Sequence, residues 1–198
     1  KLMKTRSGDN VQLVDVLTEA VEGAAKITAE NNPDRTGDEA AEVARIVGIG
    51  AVKFAELSQG RLTDYVFAWD RMLALQGDTA PYLQYSTVRI RSIFRKLDAP
   101  FDAAAAQITL TEEAEVHLAR LHARFGELLP LIIEDFRPNL LANYLLELAR
   151  AFHSFFEACP VLKSDESARS SRLALCELTS RILTTGLGLL GIKCPERM

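Results

Sequence analysis

Apolar side chains recur at spacings of three and four residues along most of this chain, and this periodicity predicts a mainly helical protein. It is clearest over Val11–Glu30 and over Pro138–Cys159, whose apolar residues should face a core. Two further long helices are predicted over Thr79–Leu97 and Asp165–Leu190. Beyond Gly77 every predicted element is a helix, which favours an antiparallel helical bundle.

Glycines and prolines predict where the remaining helices begin and break. Thr36 is typical of an N-cap, and the helix that it begins should be interrupted at Gly48-Ile49-Gly50 and resume beyond. A later helix is predicted to begin at Thr111 and to break near Gly126 and Pro130. Both interruptions follow from the poor helix propensity of these residue types.

One strand-like segment stands apart from the helices. Asp64–Asp70 is dense in aromatic side chains, which predicts a short extended element. Residues 100–107 include four alanines and predict a linker or a loose turn. We therefore predict a mainly all-α protein, with a smaller α-rich region over 1–77 that holds the extended element and a helical bundle over 78–198.

Composition narrows the class of protein. The 198 residues are 48% hydrophobic and 25% charged, as in ordinary globular domains. Cys159, Cys176 and Cys194 are too few and too widely spaced for a disulfide framework, so reduced thiols in a cytoplasm are expected. No apolar run approaches the roughly 20 residues that span a bilayer, and no basic-then-apolar leader opens the sequence. We therefore expect a cytoplasmic location and no membrane partner.

The usual catalytic patterns are missing from the sequence. It contains no Gly-x-Ser-x-Gly, Cys-x-x-Cys, His-Glu-x-x-His or phosphate-loop motif. His117, His122 and His153 are not at metal-ligand spacing, so we interpret them as solvated or half-buried helix residues and expect no metal. Cys159 and Cys176 lie among apolar residues and are interpreted as packing groups. The acidic residues at 112, 113 and 115 are interpreted as a helix N-terminus that meets its own dipole.

A net charge of −4 argues against general affinity for nucleic acid, DNA included, so any nucleic acid must be bound by a local patch. The predicted helix over 79–97 offers such a patch, because it has four basic residues and no acidic one. On a helical projection its apolar stripe comprises Leu83, Thr87, Ile90, Phe94 and Leu97. A second stripe comprises Tyr82, Tyr85, Arg89 and Lys96, with Arg91 and Arg95 on a third side.

Aromatic rings interleaved with guanidinium groups suit single-stranded RNA, because bases stack on the rings and arginine holds phosphate. The alternative is structural: the tyrosines pack on a neighbouring helix, and the basic side chains pair with carboxylates elsewhere. The basic start of the chain, over Lys1–Gly8, leaves a similar choice between a mobile loop that contacts phosphate and a disordered basic tail.

Taken together, these segments resemble arginyl-tRNA synthetase, a class I aminoacyl-tRNA synthetase, in order along nearly the whole chain. Lys4-Thr-Arg-Ser-Gly8 and the helix after it are similar to that family's signature loop region. Val47–Phe54 and Thr63–Asp70 are similar to its next two blocks. The most specific block is Ala80-Pro-Tyr-Leu-Gln-Tyr-Ser-Thr-Val-Arg-Ile-Arg-Ser92, and the C-terminal resemblance covers 181–198.

The resemblance implies that the parent enzyme uses ATP, with magnesium, to join arginine to its tRNA. Residues 4–7 resemble a degenerate KMSKS loop, so Lys4, Thr5 and Arg6 are implied to contact the ATP phosphates. Residues 1–77 are then the end of the catalytic domain with its connecting helices. The nucleotide-binding fold and its HIGH-type motif do not occur in this sequence. We therefore expect a portion of a larger enzyme that has no bound cofactor, does not activate arginine alone, and has the missing catalytic domain as a partner.

Residues 78–198 resemble a DALR-type anticodon-binding domain, although the literal Asp-Ala-Leu-Arg tetrapeptide is absent. The resemblance implies that arginine tRNA is the partner. It implies an anticodon site at Tyr85, Arg89, Phe156 and Met198, with supporting RNA contacts from Tyr82 and Lys96. Many relatives carry tyrosine at the position of Phe156. Two alternatives remain open: a free-standing helical RNA-binding module, and a protein-interaction bundle without RNA binding.

Overall fold

The computed structural model describes residues 12–60, 62 and 68–198, and within them it contains α-helices and no strand. The predicted helical class is confirmed. The helices are α1 (Leu13–Asn31), α2 (Gly37–Leu57), α3 (Trp69–Met72), α4 (Ala80–Phe94), α5 (Glu113–Asp135), α6 (Pro138–Ala158) and α7 (Glu166–Leu189). The Lys4-Thr5-Arg6 loop lies outside the described residues.

The predicted extended element is corrected at its C-terminal end. Trp69 and Asp70 belong to α3, a single helical turn, and only Ala68 before them has extended backbone angles. Residues 63–67 lie outside the described part of the chain. The dense aromatic composition that suggested a strand is equally compatible with a short turn whose Met72 is buried.

The predicted break at Gly48-Ile49-Gly50 is wrong, because α2 continues through both glycines. A Cβ at Gly48 would lie 2.6 Å from the backbone oxygen of Ala20 in α1. At Gly50 it would lie 2.8 Å from the side-chain nitrogen of Gln84 in α4. The glycines therefore allow two helices to approach α2 closely, and the burial gained outweighs their poor helix propensity.

The predicted break near Gly126 and Pro130 is also wrong, because α5 runs through both to Asp135. Proline removes the hydrogen bond to the carbonyl four residues earlier, which here belongs to Gly126. Gly126 is exposed, so water can reach that carbonyl. The helix ends instead at Phe136, whose φ of 52° lies in the left-handed region.

Most predicted helix ends are confirmed. The Thr79 hydroxyl accepts a 3.1 Å hydrogen bond from the Tyr82 backbone N–H and donates to the Ala74 carbonyl. Asp165 caps α7 by accepting from the Ala168 N–H at 3.0 Å. Gly191, at φ 69°, follows the end of α7. Thr36 occupies the N-cap position of α2, although its side chain makes no capping hydrogen bond.

The main core lies between α4, α5, α6 and α7, and a second core lies between α1 and α2. α2 packs against both α4 and α6, which joins the α1–α2 pair to the bundle. Cys159 and Cys176 are fully buried, as predicted for packing cysteines. Burial raises the pKa of Cys176 to about 12, so this thiol stays protonated and unreactive at neutral pH.

The acidic group at 112–115 does more than meet a helix dipole. Glu115 is 1% exposed, pairs with Arg172 of α7 at 2.7 Å, and accepts backbone N–H bonds from Thr111 and Glu112. Burial alone would raise the pKa of Glu115, but these hydrogen bonds outweigh it and hold that pKa below its ordinary value. Arg172 also donates to the Pro160 carbonyl, so this ion pair fixes the connection before α7.

His122 is buried rather than solvated, which corrects that interpretation. The hydroxyl of Thr179 donates to the Leu175 carbonyl and so accepts from His122 Nε2 at 2.8 Å. His122 Nδ1 is buried with no hydrogen-bond partner. The burial lowers the pKa of His122 to about 4, so the folded protein holds a neutral imidazole at physiological pH.

This burial predicts a pH-dependent loss of stability. Between about pH 6.5 and pH 4 the unfolded chain protonates His122 and the folded chain does not, so acid favours unfolding. The free energy of unfolding should fall by about 3 kcal/mol across that window on account of this group. His122→Gln should remove this component in chemical denaturation at several pH values, because glutamine does not titrate.

His117 supplies the control, because it lies exposed on the same helix. His117→Gln should keep the wild-type pH dependence. Equal pH profiles for His122→Gln and wild type would contradict the assignment. Glu115 titrates in wild type and in His122→Gln alike, so its contribution to the pH dependence cancels when these two proteins are compared.

The buried and exposed helix glycines predict opposite effects of the same substitution. Gly48→Ala forces a methyl group against the α1 backbone and should lower stability by roughly 1–3 kcal/mol. The Cβ added by Gly126→Ala meets nothing within 4 Å, so this substitution should raise stability by roughly 0.5–1 kcal/mol. Denaturant midpoints measure both, and a loss of stability at 126 equal to that at 48 would contradict the packing argument.

Candidate nucleic-acid interface

A groove of about 540 Å³ opens where the C-terminal end of α1 meets α4 and α6. Asn31 contributes from α1, and Tyr82, Tyr85 and Arg89 contribute from α4. From α6, the lining includes Phe152 and His153. The groove therefore contains three members of the predicted aromatic and basic stripe.

The buried face of α4 orients this stripe. Leu83 and Ile90 are fully buried in the main core, and Phe94 and Leu97 pack against its edge. With that face directed inward, Tyr82 is half-buried and Tyr85 is 43% exposed. The predicted division of α4 into an apolar and a polar stripe is confirmed.

Lys96 does not join the groove. It lies two residues beyond the end of α4, is exposed, and is not among the lining residues. The helical projection placed it on the tyrosine stripe because the helix was predicted to run to Leu97. The chain instead ends α4 at Phe94 and turns through Arg95.

Arg89 lies over an aromatic ring. Its guanidinium carbon lies 4.7 Å from the centre of the Phe156 ring, within cation–π range. Its Nη1 lies 3.4 Å from Nδ1 of His153, and Nε2 of His153 lies 3.2 Å from a carboxylate oxygen of Glu157. Arginine is only a donor, so Nδ1 accepts and Nε2 carries the hydrogen that faces Glu157. The Arg89 side chain is thus oriented by three residues of α6.

Phe156 lies beneath Arg89 rather than open to the groove. It is half-buried, and its ring centre is 6.0 Å from that of Phe152. In this arrangement Arg89, and not Phe156, is among the residues that line the groove.

Arg91 and Arg95 bind the C-terminal segment instead of facing the groove. Arg91 donates to the Pro195 carbonyl at 2.9 Å and pairs with the Glu196 carboxylate at 3.3 Å. Arg95 reaches the Glu196 carbonyl at 3.5 Å. The structural alternative, pairing with a carboxylate, therefore holds for Arg91, whereas Arg95 contacts only a backbone carbonyl.

Met198 is carried to the edge of the groove by the same segment. Asn32 donates to the Met198 carbonyl at 2.7 Å, and Arg35 donates to the Arg197 carbonyl at 3.1 Å. The Met198 side chain packs on the second core beside Ile27. Met198 does not line the groove. Its backbone is bound by Asn32, and the residue before Asn32, Asn31, does line the groove.

Sequence reasoning missed Asn31, His153 and the ion pair between Arg150 and Asp78 beside Tyr82. Burial raises the pKa of Tyr82, and Arg150 and then Arg89 partly oppose that rise, so its phenol is a neutral donor at physiological pH. His153 could have been found, because it lies three residues before Phe156 on one helix face. Asn31 carried no signal, because only tertiary packing brings the end of α1 to α4.

The described residues contain no group of three or more histidine, cysteine or acidic side chains that could hold a metal ion. Within the same part of the chain, no helix is long and apolar enough to cross a membrane.

Family models match two stretches of the chain. A model for the DALR anticodon binding domain matches residues 83–198, which is more than half of the chain. A model for the class I (R) tRNA synthetase catalytic domain matches residues 1–69. The groove lies within the first match except for its α1 wall and the residues just before 83.

Curated relatives and solved structures agree with these matches. The chain is 48% identical to the arginine–tRNA ligase of Edwardsiella ictaluri and 49% identical to that of Chromobacterium violaceum. All of the chain aligns with each, but it spans only 34% of their length. The arginyl-tRNA synthetase of Thermus thermophilus superposes with a TM-score of 0.85 at 34% identity, over 96% of this chain and 33% of that one.

The Plasmodium falciparum arginyl-tRNA synthetase superposes with a TM-score of 0.81 at 29% identity, over 95% of this chain and 34% of that one. Similarity therefore extends through the α1–α2 pair as well as the bundle. The chain belongs to the arginyl-tRNA synthetase family and corresponds to the C-terminal third of those enzymes, which carries the DALR anticodon-binding domain.

Proposed function

We propose that this chain binds the anticodon arm of arginine tRNA in the groove between α1, α4 and α6. The observation that carries the proposal is the Arg89 guanidinium, fixed between Phe156 and His153 beside two groove tyrosines. A cation and aromatic rings on one wall suit unstacked bases and the phosphates between them. The family supports this choice of partner, because its relatives are arginine–tRNA ligases.

Each groove residue would contact RNA in the way that its side-chain chemistry allows. Tyr85 offers an exposed ring for stacking, and Tyr82 offers a phenol donor at the α4 end that Arg150 approaches. Arg89 offers a planar cation whose position is already set, so little conformational entropy is lost when RNA binds. Phe156 contributes by supporting that plane. Met198 and Lys96 complete the proposed RNA contacts from the groove edge and from beyond α4.

We propose further that the whole enzyme attaches arginine to this tRNA with ATP, and that the catalytic domain is the partner of this region. Lys4, Thr5 and Arg6 would contact the ATP phosphates, since cations offset the charge that develops on pyrophosphate. Magnesium belongs to that reaction and not to the groove. This chain alone is expected to give no arginine-dependent pyrophosphate exchange.

Arg89→Lys tests whether the guanidinium plane matters as well as the charge. Lysine keeps the cation but loses the stack on Phe156, so tRNA affinity should fall by roughly 1–3 kcal/mol, close to the effect of Arg89→Ala. Fluorescence titration with arginine tRNA measures the affinity, and circular dichroism checks the fold. Wild-type affinity in Arg89→Lys would show that only the charge contributes.

The function itself is tested by titrating the wild-type chain with arginine tRNA and an unrelated tRNA at two salt concentrations. Selective binding that weakens with salt is expected, because phosphate contacts release counterions. Equal affinity for both tRNAs would indicate a non-specific basic patch. Absence of binding at both salts would favour a protein-interaction role for this region.

A further inference from the structure

Arg150 lies on α6 directly after Ala149, a lining residue of the groove, and is itself beside the groove rather than in its lining. It forms an ion pair with Asp78, which lies just before the N-cap of α4. At 100° per residue, Arg150 sits about 60° round α6 from His153, which lines the groove. Arg150 and Arg89 both act electrostatically on the Tyr82 phenol, so both charges lie near this groove residue.

The ion pair between Arg150 and Asp78 is weak enough to exchange. The two side chains are 57% and 66% exposed, and exposed pairs contribute at most about 1 kcal/mol. A phosphate group offers arginine the same bidentate oxygen geometry as a carboxylate, with at least as much negative charge. A phosphate that enters the groove can therefore replace Asp78 at Arg150 at little cost to the fold.

The other arginines of this region have structural partners. Arg91 and Arg95 bind carbonyls of the C-terminal segment, and Arg89 is stacked on Phe156. Asp78 is not needed to cap α4, because Thr79 accepts the Tyr82 N–H. An acidic side chain at the rim of an RNA groove repels phosphate, so its place there is explained if it holds Arg150 until RNA arrives.

Resting on the proposed function, we propose that Arg150 is a phosphate-contacting residue of the RNA groove and that Asp78 is its partner in the RNA-free protein. Binding exchanges the carboxylate for a phosphate. Arg89 on α4 and Arg150 on α6 then both contact the RNA, Arg89 from within the groove and Arg150 from beside it.

Arginine tRNA titrations at several salt concentrations test the exchange in four proteins: wild type, Arg150→Gln, Asp78→Asn and the double variant. Arg150→Gln should weaken binding and reduce the slope of log affinity against log salt by about 0.7–0.9, the value of one phosphate contact. Asp78→Asn should strengthen binding by at most about fivefold, the worth of an exposed pair. In the double variant the gain should disappear, because it requires Arg150.

A second exposed ion pair provides matched controls. Arg124 of α5 pairs with Glu147 of α6 at 3.2 Å, with side chains 53% and 46% exposed. Glu147 lies about 120° round α6 from His153, away from the groove. Arg124→Gln and Glu147→Gln change the net charge by the same amounts as the test variants, and neither should alter the salt slope.

The outcomes separate the two proposals. A salt slope in Arg150→Gln equal to that of wild type overturns this inference and leaves the anticodon groove intact. Equal effects of the control and test variants would indicate a general charge effect and overturn this inference. A gain in affinity from Asp78→Asn that persists in the double variant would overturn it for the same reason. Failure of the wild-type chain to bind arginine tRNA overturns the proposed function and this inference together. Thermal melts of each variant establish that the compared proteins are folded.

Discussion

One buried amide joins the three parts of this structure. Gln84 of α4 is fully buried, and its nitrogen donates to the Ile46 carbonyl of α2 and to the Lys193 carbonyl of the C-terminal segment. Gly50 leaves room for it, since a Cβ there would meet the amide nitrogen. These bonds fix the α1–α2 pair, the bundle and the last residues of the chain around α4. The groove depends on this arrangement, because its walls come from α1, α4 and α6.

An acidic protein can carry the proposed RNA groove because its basic side chains differ in how strongly they are bound to other groups of the protein. Arg172 is buried and paired with Glu115, and Arg91 and Arg95 donate to backbone carbonyls. The guanidinium groups beside the groove are instead held by an aromatic ring or by an exposed carboxylate. Net charge averages over these cases, so the value of −4 excluded a broad basic surface but not a local one.

The candidate site could be predicted in part. The stripe of Tyr82, Tyr85 and Arg89 followed from helical spacing, and their roles followed from the resemblance to the family. The resemblance implied that Phe156 belongs to the anticodon site, and the structure places Arg89 over its ring. Asn31 lines the groove, and Arg150 pairs with Asp78 beside it, through contacts between elements far apart in sequence, which no local pattern encodes. Lys96 was misassigned because the end of a helix is less well determined by sequence than its middle.

The sequence by itself determined the helical class, the long amphipathic segments, the approximate ends of most helices and the apolar face of α4, because each depends on residues within a few positions of one another. Tertiary structure decided whether a glycine or a proline interrupts a helix. Gly48 and Gly50 stay helical because α1 and Gln84 pack against them, and α5 passes Pro130 where the carbonyl left without a partner faces water. A glycine in a helix costs about 1 kcal/mol of stability relative to alanine, and burial of a helix face contributes several times more. Packing therefore keeps these residues helical.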